Sequence, residues 1–362
     1  MTKITESMIE RFYLDVLYAQ GFTVEYWDIR GIYFDENDKS EFPFVKKINT
    51  FIELKKELDK LDCSTTLINL QLNYSFPYWR LFYLTNKYKT SFFSIGYFPQ
   101  YIVTSNKYFL KLKKLFSIRL ITKFLELLIK KFFIEDVDIV FYAGSAAKEG
   151  IRSKKQYPIN YIDYEKQMEL KESGDHLGKY CLFLDLNLHA HPDFKEIGLN
   201  YVDKNNYFSQ LKELFEYVES SFDIDVLIAL HPTSNILDFW PSEKQFKSKT
   251  DELIQKCDFV MSHYSTSLFA AVSSYKPIIL LYNQDIINEI PHAMGVINGF
   301  EQDLNIVKIN MDNENKITNI PTVNRKLYKD LLYKYCISME TEHKKAESYL
   351  VHYINEISKE TL

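Results

Sequence analysis

The chain has 362 residues, of which 46% are hydrophobic and 26% charged, and its formal net charge at pH 7 is −5. This composition excludes a disordered chain, and the acidic balance argues against a general nucleic-acid-binding protein. The length predicts about two domains. No uncharged apolar run reaches the roughly 18 residues of a membrane-spanning helix, and the N-terminus lacks the pattern of a signal peptide.

The sequence lacks both of the common glycine-rich motifs that bind phosphate. Only 10 residues are glycine, and neither GxGxxG nor GxxxxGK[ST] occurs. The four cysteines are far apart and form no CxxC pair, which disfavours a disulfide framework and a zinc site. We therefore expect a cytoplasmic protein that uses no metal and no cofactor.

Helices and strands are predicted to alternate in the first half of the chain. Hydrophobic periodicity indicates helices over 5–20, 45–61 and 77–87, and one or two helices over 106–134. Strands are expected over 23–29, 65–72, 90–98 and 136–144. This alternation is typical of βαβ units around a parallel sheet.

The polar stretch 145–179 interrupts the alternation and predicts a domain boundary. The pattern then resumes with strands over 179–188, 223–230, 258–264 and 276–282 and helices over 205–221, 250–257, 265–274 and 322–358. The predicted fold is α/β, with two Rossmann-like, doubly wound domains that face a cleft. We expect one domain over 1–165, a second domain over 175–325, and C-terminal helices over 326–362 that pack back across both domains.

A histidine follows one of the predicted strands. Ligands of doubly wound sheets bind beyond the carboxyl ends of the strands. The strand 223–230 ends at His231 and Pro232, and proline cannot extend a ladder, so the chain must turn there. His231 can then donate to a phosphate or protonate a leaving group. The alternative is that it only caps the strand.

A cluster of hydroxyls follows another predicted strand. His263 ends the strand 258–264, and three residues then open a helix: Ser265, Thr266 and Ser267. A helix N-terminus suits a phosphate, and capping needs only one hydroxyl, so we predict anion binding here. His263 and, more weakly, Thr250 at the start of the helix 250–257 are further candidates for contact with a nucleotide donor.

A carboxylate and two histidines surround the end of the strand 179–188. Asp185 lies in its apolar run, and His189, His191 and Asp193 follow. Asp185 or Asp193 can act as a general base, or Asp185 can orient a histidine. The H-x-H-x-D grouping also resembles a metal-ligand set, but such sites usually draw further ligands from elsewhere. A polar loop with a local Asp–His pair is the remaining interpretation.

One segment is strongly basic. Residues 107–131 carry eight lysines and arginines against one acid, Glu126, with apolar residues between them. In an acidic chain this predicts peripheral contact with the cytoplasmic face of the inner membrane. An ordinary domain helix with a solvated face is the alternative.

The second half of the chain, roughly 180–285, resembles the nucleotide-binding domain of GT-B glycosyltransferases that build bacterial surface polysaccharides. The segments that carry the resemblance are LFLDLNLHAHPDF (182–194), ALHP (229–232) and KTDELIQKCDFVMSHYSTSLFAAVSSYKPIILLY (249–282). The HP motif and the hydroxyl motif are similar to those of bacterial sialyl-, polysialyl- and ulosonic-acid transferases. The resemblance implies that the phosphate of a CMP-sugar binds at His231, Ser265, Thr266 and Ser267. It also implies that 175–325 is the nucleotide-sugar-binding domain and that 1–165 is the acceptor domain.

The resemblance thus implies an inverting, metal-independent glycosyltransferase of capsule or lipopolysaccharide-type glycan synthesis. A sialic or ulosonic sugar would pass from a CMP-linked donor to a glycan or a lipid-linked glycan. The same layout also resembles enzymes that transfer glycerol phosphate from CDP-glycerol. It is compatible, too, with a UDP-sugar epimerase or transferase of this fold and with a non-catalytic subunit of a glycan-assembly complex.

Overall fold

The computed structural model describes residues 4–34, 42–72, 74–95, 118–150, 153–172, 179–192, 194, 199–313 and 317–359. The described residues form two compact units. One unit contains the described residues up to Ile162 together with those from Ser338 onward, and the other runs from Asp163 to Ile337. The predicted C-terminal block 326–362 is therefore divided, since its residues up to Ile337 belong to the second unit.

The first unit contains two parallel sheets. Strands β1 and β2 form a pair, and β3, β4, β5 and β6 form a four-stranded sheet in chain order. The strands are β1 Tyr26–Asp28, β2 Val45–Lys47, β3 Leu67–Asn69, β4 Lys89–Ser94, β5 Val137–Tyr142 and β6 Ser153–Pro158. The helices are α1 Glu6–Arg11, α2 Leu14–Ala19, α3 Arg30–Tyr33, α4 Phe51–Leu58, α5 Trp79–Thr85 (after a 3₁₀ turn, Phe76–Tyr78), α6 Ile118–Phe133, α7 Ser145–Gly150 and α15 Ala346–Lys359.

Several elements of this unit differ from the prediction. The helix expected over 5–20 is divided because Tyr13 adopts a left-handed conformation with φ of 54°. The start of the helix expected over 45–61 is strand β2, and α4 begins only after Thr50, whose side chain caps it by accepting the Glu53 N–H. The polar stretch from 145 onward, which breaks the alternation in the sequence, contains α7 and β6.

Asn160 ties the C-terminal residues into the first unit. Its backbone N–H donates to the Tyr349 hydroxyl at 3.0 Å, and its side-chain amide donates to the carbonyls of Thr341 and Lys344 at 3.0 and 2.9 Å. The Asn160 carbonyl accepts the Tyr13 hydroxyl at 3.0 Å. Both ends of the described chain therefore meet at one buried asparagine.

The second unit contains a six-stranded parallel sheet in the order β12-β11-β10-β7-β8-β9. The strands are β7 Tyr180–Leu184, β8 Asp225–Ala229, β9 Gln245–Phe246, β10 Phe259–Ser262, β11 Ile278–Tyr282 and β12 Val307–Asn310. The helices are α8 Ile162–Glu172, α9 Lys204–Phe222, α10 Thr250–Lys256 (after a 3₁₀ turn, Ser242–Lys244), α11 Leu268–Ser273, α12 Gln284–Glu289, α13 Ala293–Leu304 and α14 Arg325–Tyr335.

The strand order of this sheet is that of a Rossmann fold. The chain starts at the central strand β7, adds β8 and β9 on one side, and returns to add β10, β11 and β12 on the other. The winding direction therefore reverses between β7 and β10, as the doubly wound prediction requires. Both strands are fully buried, which explains their continuous apolar sequences.

Helix α9 covers part of this sheet and brings a tyrosine into its core. Asp203 caps the helix by accepting the Asn206 N–H at 2.8 Å. The buried side chains recur every three or four residues along one face: Tyr207, Phe208, Leu211, Phe215 and Val218. Tyr207, in the first turn, is thereby fixed against the loop that follows β10.

Candidate functional site

The carboxyl ends of three neighbouring strands lie at one level in the second unit. Leu184 of β7 pairs with Ser262 of β10 on one side and with Ala229 of β8 on the other. Adjacent strands are about 4.8 Å apart, so β8 and β10 are separated by roughly 10 Å. The loops that follow these strands therefore lie together at the point where the winding reverses, which is where such sheets bind ligands.

Asp185 joins two of these loops. Its carboxylate is buried, and Oδ1 accepts the backbone N–H of Asn187 at 2.9 Å. Oδ2 accepts the backbone N–H of His231 at 3.1 Å and the hydroxyl of Ser234 at 2.5 Å. Because three donors already occupy the carboxylate, these contacts favour a structural role and disfavour the predicted role as general base.

His231 lies on the turn that Asp185 holds, and its ring is only partly buried. Its Nδ1 lies 2.8 Å from the Thr233 hydroxyl oxygen and 3.3 Å from the Thr233 backbone nitrogen. The ring also packs on that of His191, with 4.8 Å between centroids. Pro232 is exposed and has no N–H to offer a ligand, so its contribution here is to end the strand.

His263 is a core residue, and its contacts within the fold argue against the predicted contact with a donor. Its side chain is completely buried; Nδ1 donates to the Leu281 carbonyl at 2.8 Å, and Nε2 accepts the Tyr207 hydroxyl at 2.8 Å. A carbonyl only accepts, so the proton is on Nδ1. Burial lowers the pKa of His263 to about 4. The ring is therefore neutral, and both of its nitrogens are occupied within the fold.

The three hydroxyls after β10 have different surroundings. Ser265 is buried, and its oxygen accepts the Ser267 N–H at 3.2 Å, which stabilises the turn into α11. Thr266 is exposed and Ser267 is partly buried. The predicted helix start at 265 is three residues early, because α11 begins at Leu268. Thr266 and Ser267 are thus the hydroxyls that remain near the surface.

Thr250 is the first residue of α10 and is partly buried, whereas Lys249 occupies the N-cap position. Helix α10 follows β9, so Thr250 lies on the carboxyl side of the sheet beyond β8. Its predicted contact with a nucleotide stays a prediction.

The loop after β7 contributes two more imidazoles. His189 packs edge-on against Phe208 with 4.8 Å between ring centroids, and burial lowers the pKa of His189. His191 stacks on Phe194 at 5.1 Å. Asp193 lies outside the described residues, so its role as a base stays a prediction. Among the residues that the structure describes, no cluster of three or more His, Cys, Asp or Glu side chains is arranged to hold a metal ion.

Sequence reasoning missed His292, which lies at the N-cap position of α13. Its ring packs edge-on against Tyr264, the residue before the hydroxyl cluster, with 5.5 Å between centroids. Burial lowers the pKa of His292. The signal in the sequence is a Pro-His pair directly before an apolar helical stretch, after the strand β11.

The basic segment can be followed only in part, because 107–117 lies outside the described residues. The remainder belongs to α6 of the first unit, where Leu127, Phe132 and Phe133 are 65%, 67% and 56% exposed beside exposed Lys130 and Lys131. In the described part of the chain, no helix is both long enough and apolar enough to span a membrane.

No protein-family model and no curated protein matches the chain. Several solved structures match it. A variant of the wall teichoic acid polymerase TagF matches with a TM-score of 0.51 and 13% identity, over 99% of this chain and 87% of that chain. A second structure of this polymerase matches with a TM-score of 0.50 and 13% identity, over 100% of this chain and 88% of that chain.

MurG from Acinetobacter baumannii matches with a TM-score of 0.44 and 9% identity, over 97% of this chain and 95% of that chain. At such identities the likeness concerns the fold alone. Together with the parallel sheets, the two polymerase structures confirm the predicted α/β fold of GT-B type with Rossmann-like units.

Proposed function

We propose that the chain is a glycosyltransferase of surface-glycan assembly that takes its sugar from a nucleotide-activated donor. The observation that carries this proposal is that His231 lies on the loop after β8 and that Thr266 and Ser267 lie on the loop after β10, the two strands that pair with the central strand β7. An imidazole and hydroxyls in this position suit the phosphate of a donor, and the GT-B fold supports the assignment.

We propose roles for these residues from their contacts and from their place at the ends of the strands. The hydroxyl of an acceptor glycan attacks the anomeric carbon, the bond from that carbon to the phosphate oxygen breaks, and the electron pair leaves with the nucleotide. His231, Thr266 and Ser267 stabilise the negative charge that grows on the phosphate. Because Asp185 already accepts three hydrogen bonds, we assign the acceptor proton to another base, for which Asp193 is the candidate from the sequence.

We propose a CMP-linked sugar of sialic or ulosonic type as the donor, on the strength of the HP and hydroxyl motifs. A second candidate is the transfer of polyol phosphate from a CDP-linked donor. The observation that favours it is the likeness to a wall teichoic acid polymerase over 99% of this chain. Both candidates place a nucleotide phosphate at the same loops, so they differ in the nucleotide and in the product.

Incubation of the full chain with CMP-, CDP-, UDP- and GDP-linked donors and a glycan acceptor tests this proposal through nucleotide release and product mass. We expect release from a CMP-linked sugar, its loss in His231→Ala, and no loss in His343→Ala, whose side chain is 76% exposed in the first unit. Release from a CDP-polyol alone would select the second candidate. If no donor reacts and no nucleotide raises the melting temperature, the chain is not such a transferase.

We further propose that the chain contacts an anionic membrane surface through the C-terminal half of α6, where a lipid-linked acceptor would be held. Exposed Leu127, Phe132 and Phe133 offer apolar side chains to the interface, and Lys130 and Lys131 offer cations. Over its whole length α6 carries four cationic residues and one acid, Glu126. This charge favours anionic lipid over a neutral surface.

A further inference from the structure

A chain of side-chain contacts leads from the loop after β7 to the ring of His231. The Asn187 side-chain nitrogen lies 3.0 Å from the Thr233 hydroxyl oxygen, which in turn lies 2.8 Å from His231 Nδ1. Asn187 is buried and adopts a left-handed conformation with φ of 52°, which asparagine tolerates well. The backbone N–H of Asn187 donates to Asp185, so the backbone that carries the side-chain amide is fixed.

The direction of the first hydrogen bond is fixed by a carbonyl. The Asn187 side-chain nitrogen also lies 3.4 Å from the Ala190 carbonyl oxygen, which can only accept. If the amide were rotated by 180°, its oxygen would face this carbonyl oxygen. The NH₂ group therefore points toward Ala190 and Thr233, and the Thr233 oxygen accepts from it.

The direction of the second hydrogen bond follows from the first. With its oxygen accepting from Asn187, the Thr233 hydroxyl has its proton available for His231 Nδ1. The backbone N–H of Thr233, which can only donate, also points at Nδ1 from 3.3 Å. Both donors require an unprotonated Nδ1, so the proton of the neutral ring is on Nε2.

We propose that Asn187 and Thr233 are positioning residues that hold His231 in its Nε2–H tautomer. His231 then presents its Nε2–H to the donor phosphate as a hydrogen-bond donor and keeps this proton through the reaction. This inference depends on the proposed function only for the identity of the ligand, because the tautomer is a property of the chain by itself. An imidazole with a fixed donor needs no reorganisation as charge develops on the phosphate.

Imidazole nitrogen-15 NMR spectra of the full chain without ligand test the tautomer, at a pH where the ring is neutral. His231 is assigned by comparison with His231→Asn. We expect a single Nε2–H form in the unmodified chain. Asn187→Asp replaces the amide donor with an acceptor, so the Thr233 hydroxyl turns away from the ring. Only the longer backbone contact from Thr233 at 3.3 Å then opposes a proton on Nδ1, and the Nδ1–H form becomes populated. Asn305→Asp, at an exposed asparagine with the same φ of 52°, is the matched control and leaves the spectrum unchanged.

Kinetics with the donor provide the second measurement. Thr233→Val removes the hydroxyl while keeping the shape of the side chain, and we expect the donor KM to rise roughly tenfold with a smaller change in kcat. Thr233→Ser restores both the tautomer and the KM, because it restores the hydroxyl. A purely steric role for Thr233 predicts the opposite ranking of the valine and serine variants.

The inference is overturned if the unmodified chain shows the Nδ1–H form, or if Asn187→Asp, folded by circular dichroism, keeps the original spectrum. It is equally overturned if Thr233→Val and Thr233→Ser behave alike. The spectra require no donor. If they show the expected tautomers but the chain turns over no donor, the proposed function is refuted and this inference still holds.

Discussion

The carboxylate of Asp185 accepts the backbone N–H of His231 at 3.1 Å, across 46 residues of sequence. This contact connects the loop after β7 with the loop after β8. Since Ser234 donates to the same oxygen, the whole turn from His231 to Ser234 depends on one buried carboxylate. The backbone that carries the His231 ring is therefore fixed before any ligand arrives.

Replacement of Asp185 separates a structural role from a role as base. We expect Asp185→Ala to lower the free energy of unfolding by about 3 kcal/mol, because buried donors lose their acceptor. Asp185→Asn keeps one oxygen and should lose about half as much, with part of the transfer activity retained. Urea unfolding and initial rates measure both effects. A fully stable Asp185→Asn without any activity would instead identify Asp185 as the base.

The pH dependence of stability should report His263. Its pKa is lowered by burial to about 4 in the folded chain, against an ordinary value of 6.5. Below pH 6.5 His263 binds a proton in the unfolded chain but not in the folded chain. Its contribution to stability is therefore complete above pH 6.5 and is lost as the pH falls toward 4. The loss amounts to about 3 kcal/mol in total.

His263→Gln can keep both hydrogen bonds without titrating, and it should reduce the loss of stability between pH 6.5 and 4. Urea unfolding across this range gives both curves. Identical slopes in the two proteins would show that the pKa of His263 is the same in the folded and the unfolded chain. Tyr207→Phe, which removes only the donor to Nε2, should keep the steep slope at a lower overall stability.

The hydroxyl cluster should divide into two roles. Ser265→Ala removes the acceptor of the Ser267 N–H, and we expect a loss of about 1 kcal/mol in unfolding free energy. Thr266→Val leaves stability unchanged and weakens binding of the donor nucleotide roughly tenfold, because an exposed hydroxyl is lost. Urea unfolding and calorimetric titration with CMP measure the two quantities. If Thr266→Val binds CMP normally, this hydroxyl does not contact the donor.

Membrane contact can be tested on α6 with matched controls on α4. We expect Lys130→Glu with Lys131→Glu to weaken binding to vesicles that contain phosphatidylglycerol at least roughly thirtyfold. Lys55→Glu with Lys56→Glu, also adjacent and exposed, should not. Phe132→Ser should weaken binding, and Ile52→Ser, which changes a side chain 84% exposed, should not.

Co-sedimentation with these vesicles, compared with vesicles of phosphatidylcholine alone, measures binding. Equal losses in the α4 and α6 variants would contradict a specific surface on α6. If Phe132→Ser instead converts a dimer to a monomer in size-exclusion chromatography and leaves vesicle binding intact, the exposed face binds a second copy of the chain.

The central strands of the second unit could be predicted because a strand that is buried on both faces has a continuous apolar sequence. β8 and β10 are recognisable on this ground. By contrast, β9 has two residues and β12 includes Lys308, so neither carries such a run. The break at Tyr13 leaves no trace, because glycine and asparagine usually mark left-handed positions.

The loops of the site could be located from the sequence, but the contacts of their residues could not. A histidine after an apolar strand reads the same whether it is partly exposed, as His231 is, or completely buried, as His263 is. The difference depends on Tyr207 of α9, which precedes His263 by 56 residues in the sequence and donates to its Nε2. Likewise, two of the hydrogen bonds that the Asp185 carboxylate accepts come from donors that lie 46 and 49 residues away in the sequence.

The buried asparagine at position 160 sets an order of events during synthesis on the ribosome. Its partners Thr341, Lys344 and Tyr349 are translated 181, 184 and 189 residues after it, so the N-terminal unit cannot complete its packing until α15 has emerged. The unit from Asp163 to Ile337 is continuous and faces no such delay. A premature stop codon near position 338 would therefore damage the beginning of the protein more than its middle.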